Sequence, residues 1–335
     1  MHTRKRTVEP FCRRAYSAGE RAVVLLGLSL ATPSFAVDRT WNSGFGSWSQ
    51  QSMWTPNGLP GPLEHVFIGT TPASLSATVH MDVNGSIAAL DVAGQARLHT
   101  DGRRLTVNGL ARIDGSGSGG VTDLYAGLQV SNGANAVDFQ AASLQILAES
   151  LVMLESGPSV NIDGSVLVGV DGRFLGNGNV TVGGTFTNSG EIQVFGGDMT
   201  INVTNGASIN LDGTADGEII INDSGSDLNI AADAVTDPFD GRLFLGGDSV
   251  LTMAVNGSWA TGPASLVQVA WFQSSGYEST IQGSPLTIGG GLMLYGTDNT
   301  LRIESETTFA PTAHCLHRCA QNCANTPTPQ TSSAP

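Results

Sequence analysis

The densest cluster of residues able to do chemistry lies near the C-terminus, where His314, Cys315, His317, Cys319 and Cys323 form the phrase HCLHRCAQNC. Thiolate and imidazole are ligands for zinc or copper, and on a helix Cys315, Cys319 and Cys323 would share one face. The Cys-x3-Cys-x3-Cys spacing lacks the two-residue gap of structural zinc knuckles, so the cluster reads first as an incidental part of the tail, with metal binding or intermolecular bridging as the alternatives. The glycine run Gly115 to Gly120, GSGSGG, satisfies G-x-G-x-x-G, but a dinucleotide site also needs a helix after the loop. The following VTDLYAGLQVSNGA is cut by Gly127 and by Asn132-Gly133, so this run is read as a surface turn. Three acidic groups, Asp212/Asp216/Glu218, Asp223/Asp227 and Asp237/Asp240, offer calcium carboxylates without the helix-loop-helix or nonapeptide calcium patterns. Polysaccharide cleavage would draw on His65, His80, His99, Arg97, Arg103, Arg104 and Arg112, with Asp91, Asp101 and Asp114 as carboxylates. Arg103 and Arg104, adjacent on a strand, would point to opposite faces. Neither G-x-S-x-G nor H-E-x-x-H occurs. The sequence therefore assigns no catalytic, cofactor or metal residue, and the expected protein is not an enzyme.

These residues must be held by something other than helices. From 76 to 255 the chain repeats a strand-like phrase closed by Asn-Gly, Asp-Gly or Gly-Gly: SIAALDVAG, RRLTVNG, SVNIDG, NVTVGG, EIQVFGG, SINLDG. Alternation at Leu105-Val107, Val180-Val182 and Met199-Ile201-Val203 has the strand period of two. Gly accounts for 43 of 335 residues, and charged residues for only 13%, as suits a chain that turns constantly. Asn84, Asn108, Asp114, Asn132, Asp163, Asn205 and Asp212 recur at the turns and can stack from coil to coil. The expected fold is all-β, a right-handed parallel β-helix with atypical capping ends, and a β-sandwich-like multi-sheet domain is the alternative. A single coil cannot bury its apolar side, and stacking solves this.

The ends differ in composition. Residues 1–36 have a basic leader, an apolar core at Ala22–Ala31 and Ser34-Phe35-Ala36 before the cut, which reads as a signal peptide. Its removal leaves nine basic against 27 acidic residues, a formal charge of −18, and no lysine. Such a surface repels nucleic acid and anionic lipid. Residues 37–75 carry Trp41, Trp48 and Trp54 among prolines and read as an N-terminal cap. Residues 76–255 are the solenoid body, 256–310 a C-terminal strand-rich segment and 311–335 a flexible Cys/Thr/Pro tail. No stretch of the mature chain reads as a membrane span.

The opening TWNSGFGSWSQQSMWTPNGLPGPLEHVFIG, followed by SIAALDVAG, RRLTVNG and GNGNVTVGGTFTNSGEIQVFGG, resembles the repeat regions of bacterial autotransporter-like passengers and related exported surface proteins. The resemblance spans roughly 39–255 and implies a parallel β-helix, export, and an adhesive or matrix role at the cell surface or outside it, with surface glycans or other matrix proteins as partners. A carbohydrate-binding or polysaccharide-degrading β-helix is the alternative function. The ending CANTPTPQTSSAP matches neither a translocator barrel nor a hydrophobic sorting helix, so the chain is expected to be released, held noncovalently, or shortened.

Overall fold

The computed structural model describes residues 37–317, apart from position 43 and segments 72–75, 117–125, 212–216, 271–274 and 297. Residues 1–36, read from the sequence as a signal peptide, and those beyond 317 lie outside the described residues. The described residues of the unit Ala36–Pro335 form a parallel β-solenoid of about 11 turns. Each regular turn contributes three strand segments to three faces. In one turn Ser150–Glu155 lies on face A, Ser159–Ile162 on face B and Val166–Val168 on face C. The next turn begins again on face A with Gly172–Val182. Partners along face A are between 18 residues (Leu175 and Gln193) and 33 residues (Ser47 and His80) apart.

The period-two alternation of the sequence becomes the division between core and surface. On face A the inward column runs Leu98, Leu128, Val152, Phe174, Ile192 and Ile219, each against the next in register. Leu105, Phe139, Val160, Val180 and Ile201 form the column of face B, and Leu90, Ala111, Leu144, Val166 and Phe186 that of face C. All of these side chains are buried. Phe174 and Phe186 meet edge to face in the interior, with ring centroids 6.3 Å apart. At the corner between faces A and B a single residue, Asn177, separates Gly176 (φ 111) from Gly178 (φ 136). A Cβ on Gly176 would lie 2.0 Å from the Leu154 carbonyl of the preceding turn. Only glycine permits both this backbone and this approach.

Asn and Asp at the turns tie one coil to the next. Asn132 Nδ2 donates to the Ser156 carbonyl at 2.9 Å, Asn177 Nδ2 to Gly196 at 2.8 Å, and Asn84 Oδ1 accepts from the Arg104 amide at 2.9 Å. The buried Asp138 bridges the Gly133 amide (3.0 Å) and the Ser159 amide (2.9 Å).

The tryptophans close the N-terminal end. Trp41, Trp48 and Trp54 are buried, with Trp54 edge-on to both others at 4.8 and 5.1 Å. Its indole N–H donates to the Trp48 carbonyl at 2.9 Å. Arg39–Trp41 pairs antiparallel with Trp54–Thr55 but parallel with His65–Ile68, so this segment is both cap and first rung. Parallel stacking is not confined to 76–255. It continues through Leu266–Val269 and Gly291–Leu294 to His314–His317, four residues that composition alone assigns to a flexible tail. Trp259–Thr261, Leu286–Ile288 and Thr307–Phe309 form a separate three-stranded parallel sheet.

The Arg39 guanidinium clasps Glu64 through two hydrogen bonds of 2.8 Å, and Glu64 also accepts the Gly61 amide at 2.7 Å. The bond from Arg39 holds the Glu64 carboxyl below its ordinary range, against the opposing effect of burial. A depressed folded value stabilises the protein above the unfolded value and is lost as pH falls through the folded one. Glu64→Gln should therefore cost about 2 kcal/mol at pH 7. Urea titrations of both proteins should show this difference shrinking as the pH drops below 4.5.

Candidate functional site

Two regions of the solenoid surface concentrate groups able to bind a ligand. The first is face B, where the outward side chains form uncharged polar columns. One runs Ser86, Thr106, Gln140, Asn161, Thr181 and Asn202, and the other Ser159, Asn179, Thr200, Asn229, Thr252 and Gln282. Their side chains are half-buried or exposed. Over three successive turns both columns are present, giving a block of Ser159/Asn161, Asn179/Thr181 and Thr200/Asn202. Hydroxyls and amides thus repeat about every 4.8 Å along the stack and about 6.7 Å across it, the spacings of neighbouring strands and of alternate residues. Some are cross-linked: Gln282 Nε2 donates to Thr252 Oγ1 at 3.0 Å, and Asn161 Nδ2 to Asp163 at 2.8 Å.

The second region is the N-terminal part of face A. His80 and His99 are register partners on adjacent strands, with rings stacked 4.6 Å apart. His80 Nδ1 lies 2.7 Å from the Asp101 carboxylate, and Phe45 covers the imidazole of His80 at 4.9 Å. Beside them Arg97, His99, Gln129, Leu151 and Met153 line a small, shallow recess. Gln129 Nε2 donates to Glu155 at its rim, at 2.5 Å. Burial, followed by the charge of His80, lowers the pKa of His99 and favours its neutral form.

The other sequence candidates are dispersed. His65 pairs with Asp91 on face C at 2.6 Å, and Arg112 pairs with Asp114 there at 2.5 Å. Arg103 and Arg104 do not point to opposite faces of a strand. They precede the strand that begins at Leu105, both are exposed, and Arg104 reaches Gln140 at 3.1 Å. The acidic groups hold turns: Asp223 accepts the Gly196 amide at 2.7 Å, Asp227 that of Val250 at 3.0 Å and Asp240 that of Ala264 at 3.0 Å, while Asp237 accepts from Asn210 at 3.1 Å. Asp212 and Asp216 lie outside the described residues. Of the glycine run, Gly115 and Ser116 are described. They follow the strand Leu105–Asp114, and the next described element is the strand Ala126–Ser131 rather than a helix.

At the C-terminus His314–His317 is a strand, with exposed Cys315 opposite Leu292. The helical face that would unite Cys315, Cys319 and Cys323 thus has no helix at its first member, and Cys319 and Cys323 lie outside the described residues. Among the described residues no helix is long and apolar enough to cross a membrane.

Comparison of the chain with family models, curated proteins and solved structures gives no match. The class is therefore defined by the fold alone, a parallel β-helix. Because the polar side chains of face B point away from the core, replacing Thr181 or Asn229 with Val should change stability by no more than about 0.5 kcal/mol. Urea denaturation of the two variants checks this.

Proposed function

We propose that the chain is an exported, non-enzymatic protein of the bacterial cell surface or extracellular matrix, adhesive or structural, akin to autotransporter-like passengers. On this reading it holds extended surface glycans along face B. The observation that carries the reading is the pair of columns of Asn, Thr, Ser and Gln, which succeed one another along face B and overlap over three turns. A polysaccharide is itself a periodic array of hydroxyls, and a periodic array of amide and hydroxyl groups can bond it many times over. Each bond contributes about 0.5–1.5 kcal/mol, so affinity accumulates with the length engaged rather than residing in one pocket. From Ser86 to Gln282 the columns cross successive turns at about 4.8 Å each, roughly 40 Å of track. The acidic surface, rich in carboxylates and poor in cations, directs the preference to neutral polymers.

Cosedimentation with insoluble chitin, cellulose and peptidoglycan tests the reading. At least one polymer should retain the protein, and the triple variant Asn161→Ala, Thr181→Val, Asn202→Ala should bind about 10-fold more weakly or worse. Equal retention of the variant, or no retention by any polymer, overturns glycan binding on face B. Release of soluble sugar products would instead favour glycan degradation, with Arg97 and His99 in the recess of face A as the groups to replace first.

A further inference from the structure

We propose that His80, His99 and Asp101 form a divalent transition-metal site, suited to zinc, that clasps two successive turns of the solenoid next to its N-terminal cap. The inference is independent of the glycan reading, because it rests on face A and on different side chains.

The ligand atoms are already gathered. One atom from each of the three residues lies within 4.8 Å of the others, and this is the only such group among the described residues. Ligands about 2.0–2.1 Å from a tetrahedral zinc ion sit about 3.4 Å apart. Small rotations of two partly exposed imidazoles and a carboxylate close the difference. Two imidazoles and one carboxylate are a recognised zinc ligand set that leaves a fourth position for water, and imidazole nitrogen also suits copper and nickel.

The supporting backbone is held more firmly than a surface turn requires. The Thr100 amide donates to the Gln129 carbonyl at 2.9 Å, and the Arg103 amide to the Thr100 carbonyl at 2.8 Å. The buried Thr100 hydroxyl accepts the Ser131 amide at 3.0 Å. Asp101 occupies the left-handed region at φ 49, and the Gly102 carbonyl beside it accepts a bond from Asn135 at 3.2 Å. The Asp101 carboxylate is thus presented to His80 by a turn tied to the following coil. The strands carrying the histidines are fixed as well: the Trp48 amide donates to the His80 carbonyl at 2.7 Å, and the Met81 amide to that of His99 at 2.9 Å.

The surrounding charge is mixed. Arg97, two residues before His99, opposes a cation, whereas Asp101 and Glu155 favour one. Asp101 neutralises one unit of the metal's charge by direct ligation. The site joins Thr78–His80 to Arg97–His99 and its following turn, so metal bound to the folded state stabilises the N-terminal coils by mass action.

The experiment is a zinc titration of the full chain under reducing conditions, read by calorimetry and by the thermal midpoint. The C-terminal ligands are removed by Cys315→Ser, Cys319→Ser, Cys323→Ser, His314→Ala and His317→Ala. In that background one equivalent of Zn²⁺ should still bind and raise the midpoint. His80→Ala or His99→Gln should weaken binding by more than the 10–100-fold typical of losing a supporting residue and abolish the zinc-induced rise in midpoint, with the far-ultraviolet spectrum unchanged. Copper(II) paramagnetic resonance on the same background should show two imidazole nitrogens, and one after His99→Gln. Absence of the stoichiometric equivalent in that background, or affinity unchanged by His99→Gln, overturns the proposal. Should either histidine variant fail to fold, Asp101→Asn on the same background decides by the same readouts.

Discussion

The in-register parallel stacking of one turn on the next is the constraint on which everything else in this protein depends. A short strand such as Val166–Val168 has too few apolar atoms to bury anything alone. Only against Leu144–Ile146 before it and Phe186–Asn188 after it do its valines become core. Register then fixes which side chains enter the interior, because a one-residue slip would reverse every position on that strand. The glycines at the corners are consequences of the same stacking. Gly176 is needed because the Leu154 carbonyl of the turn before comes so close.

Stacking also brings like beside like on the outside. Where the neighbours are neutral, as in the Asn and Thr columns of face B, they extend one chemistry over many turns. Where they are charged there is a cost. Glu191 lies between Arg173 and Glu218 on face A. Burial raises the pKa of its carboxyl, and Glu218 raises it further while Arg173 opposes. The sign follows from linkage: a carboxyl held protonated more tightly in the folded state loses stabilisation as pH rises from its unfolded to its folded value. Asp227, raised by burial and by Asp198, behaves in the same way. Glu64 has the opposite sign because Arg39 faces it directly. The histidine pair of face A arises from the same register. His80 and His99 are 19 residues apart in sequence, yet face each other because one short turn separates them.

This separation shows what the sequence could and could not reveal. The period-two alternation at Val180-Val182 and Met199-Ile201-Val203 and the Asn-Gly or Asp-Gly closures carry the strands, the turns and the stacked architecture, since they depend on near neighbours. That Trp41, Trp48 and Trp54, close in sequence, pack on one another was legible for the same reason. The pairing of strands was not, because the number of residues per turn varies from 18 to 33 on face A and no fixed offset predicts a partner. His80, His99 and Asp101 were therefore individually visible as candidates and collectively invisible. The polar columns of face B were hidden likewise, since Asn161, Thr181 and Asn202 sit in different phrases. At the C-terminus composition was misleading. His314–His317 reads as tail, but the open edge left by Gly291–Leu294 offers four residues of pairing, and an available sheet edge outweighs weak local propensity.

The acidic excess has a structural reading that follows from the same geometry. A tightly turning coil exposes backbone amides at its corners that no strand can satisfy, and a buried or half-buried amide without an acceptor is expensive. Carboxylates meet that need across coils: Asp82 accepts the Ser49 amide, Asp198 that of Asp227, Asp248 that of Glu278. The Asp82 carboxyl is lowered chiefly by its bond with the Ser49 hydroxyl, as expected of an acceptor engaged in its charged form. Asp can reach such an amide without a donor of its own to satisfy. An Asn in the same place brings an NH₂ group that needs an acceptor, which Asn177 finds at the Gly196 carbonyl. Carboxylates committed to backbone amides in this way are spread over separate corners rather than converging on a point. Of the acidic residues that suggest calcium in the sequence, Asp223, Asp227 and Asp240 are clamps between turns, and the three residues that do converge include two histidines.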